Sequence, residues 1–369
     1  MSSSSRRQFL KGSALGVATI ATSSQAIAQS SVINPKTIAQ VDALQAKKIS
    51  ATTANWNDGL AHPIPYTPMP GLGKERGLAF GGGGIVLISW YVGYFHALKE
   101  QGVDLSNTNI VVGTSAGSIF SSMLMNGNLW RIREEMDLFN DFPKVLAKLV
   151  PETKFNPSQM RAKEIGTNVK DASPASIQEL GRAAMAARNT TGETQYQKTI
   201  EKLVGITTWP SKNLYTTAND CYTGERIVVS ESSNIPNYVA CAASSSLPGG
   251  AGPTFLKDRL CMDGGMCASS THCDVIAGVK KAIVFSLANG NDADEKKYNL
   301  RTTGFPDSLL QELKDLRSQG TQVMHITAGI PPGMIRVDNV MNPELISPFM
   351  KYGYERGKTE AAKLKQFWA

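Results

Sequence analysis

The sequence contains little cysteine and histidine, with five and four residues respectively in a chain of 369. The cysteines follow no common zinc-binding spacing, and no histidine pattern indicates a metal site. We therefore expect neither a metal nor another cofactor. Because an odd number of cysteines leaves at least one thiol unpaired, we expect mostly buried free thiols, with a disulfide between Cys267 and Cys273 as the alternative.

Long apolar runs and dense basic patches are also absent. The apolar stretch at residues 14–21 is much shorter than the ~20 residues that a membrane-spanning helix needs. The formal net charge is +7, but the basic residues do not cluster as they do in nucleic-acid-binding proteins. We therefore expect no nucleic-acid partner, whereas a mildly basic chain is compatible with peripheral contact with an anionic membrane.

Residues 1–28 have the pattern of a twin-arginine signal peptide. Residues 5–11 read SRRQFLK, an apolar stretch follows, and residues 26–28 (AIA) provide small side chains at the spacing of a cleavage site. The alternative is a disordered basic tail. The pattern predicts passage through the twin-arginine export machinery and a periplasmic or secreted protein, without a lipid anchor because no cysteine lies near the cleavage point.

The rest of the chain divides by composition. Residues 29–76 are rich in Ser, Thr, Asn and Pro and predict an extended, Pro-rich N-terminal arm. Residues 77–127 predict strand, loop, helix, strand, turn and helix, a βαβ pattern with parallel strands, and residues 130–207 predict a helical insertion. Further strands are expected at 213–218, 226–230, 259–263, 281–287 and 322–327, with helices at 238–243, 307–319 and 343–368.

The most informative motif is Gly-Thr-Ser-Ala-Gly at residues 113–117, which has Ser115 at its centre. It follows the apolar residues 110–112, so the pattern predicts a strand, a sharp turn and the start of a helix. Such a G-x-S-x-G turn lifts the serine hydroxyl clear of the sheet, and the helix that follows directs its free N–H groups and positive dipole end towards it. A serine held in this way is typical of a nucleophile.

Two more glycine-rich turns accompany this serine. Four consecutive glycines, Gly81, Gly82, Gly83 and Gly84, follow an apolar run and precede a helical stretch. Their N–H groups are unshielded by side chains, which suits a pocket for developing negative charge. Asp263 ends a predicted strand and is followed by two glycines. Because no G-x-x-x-x-G-K-[ST] or G-x-G-x-x-G motif fits the four glycines, nucleotide binding there is disfavoured.

A serine hydroxyl needs a base to act as a nucleophile at neutral pH. The chain order of Ser115, Asp263 and then His272 or His325 would fit a Ser-His-Asp triad, whereas His62 and His96 lie in the arm and in the first helix. None of these histidines is in a loop with a catalytic signature. We therefore favour the alternative, in which a carboxylate accepts the serine proton directly.

Taken together, the glycine loop, the Gly-Thr-Ser-Ala-Gly turn about 30 residues later and the distant Asp-Gly-Gly resemble the patatin-like phospholipase family. The small-residue segment 241–248, which ends in proline, is similar to a segment of that family. Residues 341–343 and 353–357 resemble its bacterial branch. The resemblance covers roughly residues 77–365 and is weakest over 130–207.

This resemblance implies an α/β fold of three layers, with a mostly parallel central sheet flanked by helices and a catalytic domain at 77–369. It also implies that Ser115 is the nucleophile and Asp263 the base of a Ser-Asp dyad. By motif position, Gly82, Gly83 and Gly84 would line the oxyanion hole. The implied activity is hydrolysis of acyl esters in lipids through an acyl-serine intermediate, as in lipid degradation.

Two positions depart from the family pattern. A basic residue and a glycine usually follow the glycine run, and here Val86 and Leu87 stand in their places. The change removes a positive charge near the pocket and restricts the loop backbone. A catalytically impaired lipid-binding protein therefore remains open as an alternative. A Ser-His-Asp esterase or acyltransferase remains open as well, because such enzymes also use a G-x-S-x-G motif.

The helical insertion is the predicted lid. Its apolar side chains are expected mainly to pack on the core, with contact to acyl chains or to a membrane surface as the alternative. They are Phe139, Phe142, Val145, Leu146, Leu149 and Val150. In the first helix, Trp90, Tyr94 and Phe95 are likewise expected in the core rather than at the site.

Overall fold

The structure is a computed structural model, and it describes residues 36–49, 57–141, 155–169, 171–187, 193–300, 305 and 307–369. The predicted signal peptide at 1–28 lies outside these residues. So do the insertion residues predicted at 142–150 and the side chain of Phe139.

Eight strands in the described residues belong to one sheet. They are β1 (Arg76–Phe80), β2 (Ile110–Gly113), β3 (Leu214–Asp220), β4 (Arg226–Val229), β5 (Thr254–Leu256), β6 (Arg259–Asp263), β7 (Lys281–Ser286) and β8 (Gln322–Thr327). The helices are α1 (Ile38–Ile49), α2 (Gly84–Glu100), α3 (Ala116–Met125), α4 (Leu129–Asp141), α5 (Pro157–Asn168), α6 (Pro174–Ala186), α7 (Glu193–Val204), α8 (Asn237–Ser244), α9 (Asp292–Tyr298), α10 (Ser308–Ser318) and α11 (Ile346–Trp368).

The sheet has a parallel centre and an antiparallel end. Its order is β5-β6-β3-β2-β1-β7-β8, with β4 also paired to β3. The pairs among β3, β2, β1, β7 and β8 are parallel, whereas β4 and β6 run antiparallel to β3, and β5 runs antiparallel to β6. The carboxyl ends of the parallel strands therefore lie at one edge of the sheet, where ligand sites of open α/β sheets are found.

Apolar side chains cover both faces of the sheet, because successive residues of a strand point to opposite faces. In β1, Leu78 and Phe80 pack into the larger core cluster with α2, α3 and α11, whereas Ala79 packs into a second cluster with α10. In β7, Ile283 likewise packs into the larger cluster and Val284 into the second cluster. The result is the predicted arrangement of three layers, with helices on both sides of a mostly parallel sheet.

Helices α2 and α11 cross closely because glycines lie at their contact. A Cβ atom on Gly93 would lie 2.0 Å from the Met350 carbonyl oxygen, and one on Gly353 would lie 2.3 Å from the Trp90 carbonyl oxygen. Trp90 is fully buried, as are Tyr94 and, nearly so, Phe95. The prediction that these aromatic residues belong to the core is confirmed.

The N-terminal arm differs from its prediction. Residues 38–49 form α1, which packs against α5 and α6, although an extended segment was expected over all of 29–76. The average composition of 29–76 is polar and Pro-rich, but 38–49 is a local run of good helix formers such as Ala, Gln, Leu and Lys. Val41 is fully buried, so tertiary packing also favours this helix.

The other part of the arm, residues 57–75, is fixed to the domain by two buried arginines. Arg226 of β4 donates to both carboxylate oxygens of Asp274 at 2.7 and 2.8 Å and also to the Pro63 carbonyl oxygen. Arg259 of β6 donates to Asp58 of the arm at 2.7 Å. The arm thus provides partners for two buried charges on strands that lead towards the predicted site.

The remaining elements mostly lie where the sequence places them. The helical character of the insertion is seen in α4 to α7 over the described residues, and Ile200 and Val204 of α7 belong to the main core. Strand β5 and helix α9, which are three and seven residues long, were not predicted from the sequence. No helix in the described part of the chain is long and apolar enough to cross a bilayer.

Candidate active site

Strand register brings Ser115 and Asp263 together. Thr216 of β3 pairs with both β2 and β4, and Ala218 pairs with both β4 and β6. Because β4 occupies one side of β3, β2 and β6 share the other side and follow one another along it. Gly113 lies opposite Thr216, and Asp263 lies opposite Ala218. Ser115, two residues beyond Gly113, therefore reaches the end of β6.

The backbone of Ser115 has the strained conformation of a nucleophile elbow. Its φ of 53° and ψ of −120° lie in a region that L-residues rarely adopt and that is common at functional sites. The residue stands directly before α3, and its N–H donates to Ser244 Oγ at 2.8 Å. Ser115 is 8% exposed, so the turn presents a nearly buried hydroxyl at the carboxyl edge of the sheet.

The hydroxyl of Ser115 donates to Asp263 Oδ2 at 2.7 Å. The other carboxylate oxygen, Oδ1, accepts the Gly265 N–H at 2.8 Å. Burial raises the pKa of Asp263 to about 7, although both hydrogen bonds act in the opposite direction. A carboxylate with such a pKa accepts a proton at neutral pH more readily than an ordinary aspartate.

Two polar side chains hold the turn after Asp263, and one of them, Asn219, was not singled out from the sequence. Asn219 donates through Nδ2 to the carbonyl oxygens of Asp263 and Gly264 at 2.7 and 3.1 Å. His272 Nε2 lies 2.7 Å from the same Gly264 oxygen. Because a carbonyl oxygen can only accept, this ring nitrogen carries the proton. These contacts fix the backbone that carries the carboxylate.

The two histidines considered for a triad lie elsewhere. His272 bonds to Gly264 and approaches Arg226 rather than Ser115, and burial lowers its pKa to about 4. His325 lies on β8, and its Nε2 is 2.8 Å from the Ser286 hydroxyl of β7. Strand β8 is three strands from β2, or roughly 14 Å. In the described residues, the hydroxyl of Ser115 has a carboxylate partner and no histidine partner.

His62 and His96 also have partners other than Ser115 and Asp263. His62 contacts the Gly59 carbonyl oxygen in the arm. His96 lies on α2 beside Glu100 at 2.8 Å.

The glycine loop offers two of its three predicted N–H donors. The N–H of Gly82 already donates to the Ser270 carbonyl oxygen at 3.1 Å. Of the three glycines predicted to line an oxyanion hole, Gly83 and Gly84 therefore keep an N–H that is free within the described part of the chain. The N–H groups of Gly83, Gly84 and Ala116 have no acceptor among the described residues. Helices α2 and α3 begin at Gly84 and Ala116, shortly after the paired strand ends Phe80 and Gly113. Both helix N-termini therefore lie at the same edge of the sheet, where their dipoles favour negative charge.

The two positions that depart from the family pattern are fully buried. Val86 belongs to the main core. Leu87 packs so closely on the loop that a Cβ atom on Gly83 would lie 2.8 Å from Leu87 Cβ and Cδ2. The backbone at Gly83 is therefore confined by an apolar wall.

All five cysteines are buried free thiols. The Cys267 thiol bonds to Asn219 Oδ1 at 2.6 Å, and the Cys273 thiol contacts Glu312 Oε2 at 3.3 Å. Within the described ranges, no group of three or more His, Cys, Asp or Glu side chains is arranged to hold a metal ion.

The sheet, the elbow and the serine–carboxylate pair define an α/β protein with a nucleophile-type serine turn. The family model of patatin-like phospholipases matches residues 78–272, just over half of the chain, and includes the glycine loop, Ser115 and Asp263. The chain therefore belongs to the patatin-like phospholipase family. No curated protein matches the sequence.

Several solved structures are similar to parts of this chain. The type III effector protein ExoU shares 15% identity with a TM-score of 0.33, over 84% of this chain and 56% of ExoU. ExoU in its complex with SpcU, from Pseudomonas aeruginosa, shares 16% identity with a TM-score of 0.34, over 80% of this chain and 52% of that ExoU chain. Human GIVD cytosolic phospholipase A2, in complex with methyl gamma-linolenyl fluorophosphonate, shares 12% identity with a TM-score of 0.37, over 89% of this chain and 61% of the phospholipase. Each match spans less than two thirds of the other protein.

Proposed function

We propose that this protein is a serine acyl-ester hydrolase that acts on lipids through a Ser-Asp dyad. The observation that carries the proposal is the 2.7 Å hydrogen bond from the Ser115 hydroxyl to Asp263, beside N–H groups without an acceptor in the described residues. Membership of the patatin-like phospholipase family supports a lipid ester as the substrate.

The first half of the reaction forms an acyl-serine. Asp263 takes the hydroxyl proton as Ser115 Oγ attacks the ester carbonyl carbon. The oxyanion is stabilised by the N–H groups of Gly83, Gly84 and Ala116 and by the two helix dipoles. When the ester bond breaks, Asp263 gives its proton to the leaving alcohol.

The second half restores the enzyme. A water molecule loses a proton to Asp263 and attacks the acyl carbon, and the same N–H groups stabilise the second oxyanion. The carboxylic acid leaves as Ser115 recovers its proton from Asp263. The balance is one ester and one water consumed for one acid and one alcohol released.

Release of fatty acid from phospholipid, lysophospholipid, triacylglycerol and short p-nitrophenyl esters tests this function. Ser115→Ala and Asp263→Asn should abolish release. His325→Ala, and His272→Gln, which keeps an N–H donor for Gly264, should remain active. Loss of release in either histidine variant, at the level of Ser115→Ala, would instead favour the triad.

A second candidate, a catalytically impaired lipid-binding protein, is favoured by one observation. Leu87 stands where the family pattern has glycine, and its side chain confines the backbone at Gly83. This candidate predicts that the purified protein binds lipid vesicles but releases no acid from any of these esters. Leu87→Gly should then restore release.

We also infer export to the periplasm or the medium from the SRRQFLK pattern at residues 5–11. Cell fractionation of the full chain tests this export, with the double variant Arg6→Lys, Arg7→Lys as the comparison. Retention of the double variant, and not of the wild type, in the cytoplasm is the expected result. Equal distribution of the two would argue for a basic tail without a targeting role.

A further inference from the structure

One helix end contacts the backbone of both dyad residues. Ser244, the last residue of α8, accepts the Ser115 N–H on its Oγ at 2.8 Å. Two residues later, the Ser246 carbonyl oxygen accepts the Asp263 N–H at 3.0 Å. Residues 244–246 therefore hold the backbones of Ser115 and Asp263 at a fixed distance from each other.

This helix end is rigid because its neighbours fix it. Ser244 and Ser246 are fully buried. The hydroxyl of Ser246 contacts the Ala242 carbonyl oxygen and Thr254 Oγ1 at 2.8 and 3.0 Å. The hydroxyl of Tyr196, on α7 of the insertion, lies 3.0 Å from the Ser245 carbonyl oxygen and 2.8 Å from its Oγ.

The bond to Ser244 has two consequences for Ser115. It satisfies an N–H that would otherwise be buried without a partner, and it ties the strained elbow to a fixed point. It also occupies that N–H, so the donors left for an oxyanion are those of the glycine loop and Ala116. Without the Ser244 oxygen, the elbow can relax and move Ser115 Oγ away from Asp263.

We propose that Ser244 is a positioning residue of the dyad, which sets the location of Ser115 Oγ by accepting its backbone N–H. The proposal rests on the hydrolase function above. Ser244 forms no hydrogen bond with the carboxylate of Asp263 or the hydroxyl of Ser115, so it acts on the rate through the position of the Ser115 backbone.

Ser244→Ala tests this role against the matched control Ser122→Ala. Ser122 is also a fully buried serine near the site, but its hydroxyl donates to the Ser118 carbonyl oxygen at 2.8 Å and not to a dyad residue. We expect Ser244→Ala to lower kcat by about 10- to 100-fold, the effect of a small misplacement of a reacting group. KM should not change, whereas the midpoint of the pH profile should rise, because Asp263 loses the Ser115 hydrogen bond that lowers its pKa. Ser122→Ala should behave as wild type.

The rate of labelling by a fluorophosphonate separates the possible failures, since it reports the reactivity of Ser115 without a choice of ester. A slower rate in Ser244→Ala, matching its loss of kcat, supports the proposal. Equal rates in wild type, Ser244→Ala and Ser122→Ala overturn the positioning role and leave the hydrolase function standing. A wild-type protein that is not labelled at Ser115 overturns both.

Discussion

Ser115 and Asp263 form a hydrogen bond of 2.7 Å although 148 positions separate them in the chain. Their contact depends on β3, which pairs with β2 and β6 one after the other on the same side. A shift of one residue in the β3–β6 register would turn the Asp263 side chain to the other face of the sheet. Sheet register thus sets the geometry on which the proposed chemistry depends.

The first prediction concerns the pH dependence of hydrolysis. In the proposed mechanism Asp263 must be ionised to accept the serine proton, and burial raises its pKa to about 7. We expect kcat/KM on a soluble p-nitrophenyl ester to rise with pH through a single ionisation near 7 and then to level off. The assay should follow product at a wavelength where absorbance is independent of pH. A midpoint near that of an ordinary aspartate would contradict the assigned environment.

The second prediction concerns stability. Because the folded-state pKa of Asp263 lies above the ordinary value of 3.8, the folded protein binds this proton more tightly than the unfolded chain does. Stability is therefore lost as the pH rises from about 4 to about 7. Asp263→Asn lacks this loss and should be more stable than wild type above pH 7, by a margin of up to about 4 kcal/mol.

Denaturant unfolding of Asp263→Asn and wild type at several pH values measures this difference. The margin should grow between pH 4 and 7 and stay constant above. Ser115→Ala serves as the comparison, because it removes the hydroxyl but retains the buried carboxyl group. A margin that does not depend on pH would show that Asp263 is not desolvated in the folded protein.

The third prediction compares two ion pairs of similar length. Arg226–Asp274, at 2.7 Å, has side chains that are 1% and 9% exposed, whereas Lys280–Glu75, at 2.6 Å, has side chains that are 68% and 62% exposed. Asp274→Ala leaves a buried guanidinium without its carboxylate and should cost about 3–5 kcal/mol. Glu75→Ala should cost less than about 1 kcal/mol.

Thermal or denaturant unfolding of both variants checks this prediction. Because Asp274 also accepts the Tyr66 N–H at 2.8 Å, its loss should loosen the arm, which limited proteolysis at residues 57–75 would detect. Equal costs for the two variants would mean that the arm does not bury this pair in solution.

The fourth prediction concerns the glycine loop. In Gly83→Ala, the new Cβ would lie 2.8 Å from Leu87, so the loop must move to make room for it. Displacement of an oxyanion donor should lower kcat by about 100- to 1,000-fold. Gly166→Ala is the matched control, since its Cβ would approach only Leu180, at 3.8 Å. Comparable activity of the two variants would remove Gly83 from the proposed oxyanion hole.

Much of the fold follows from local patterns in the sequence. The apolar runs at β1, β2 and β7 and the long amphipathic α11 are continuous signals, and family membership agrees with the layered sheet that they predict. Short elements such as β5, with three residues, give too little periodicity to detect. Helix α9 carries a signal that could have been used, an Asn291 cap before acidic residues and then lysines.

The candidate site could be predicted only in part. Glycine and serine motifs mark the loops that surround Ser115, because special backbone conformations restrict the residue types there. Asn219 and Ser244 could not be identified in this way, since their roles arise from strands and helices that meet only in the folded chain. The same limit applies to Gly82, whose N–H bond to Ser270 no local pattern reveals.

The most direct measurement is peptide mapping of the protein after reaction with a fluorophosphonate. We expect one adduct, on Ser115, that forms much more slowly in Asp263→Asn and not at all in Ser115→Ala. Reagent found on another serine, with Ser115 unmodified, would contradict the assignment of the nucleophile and the dyad built on it.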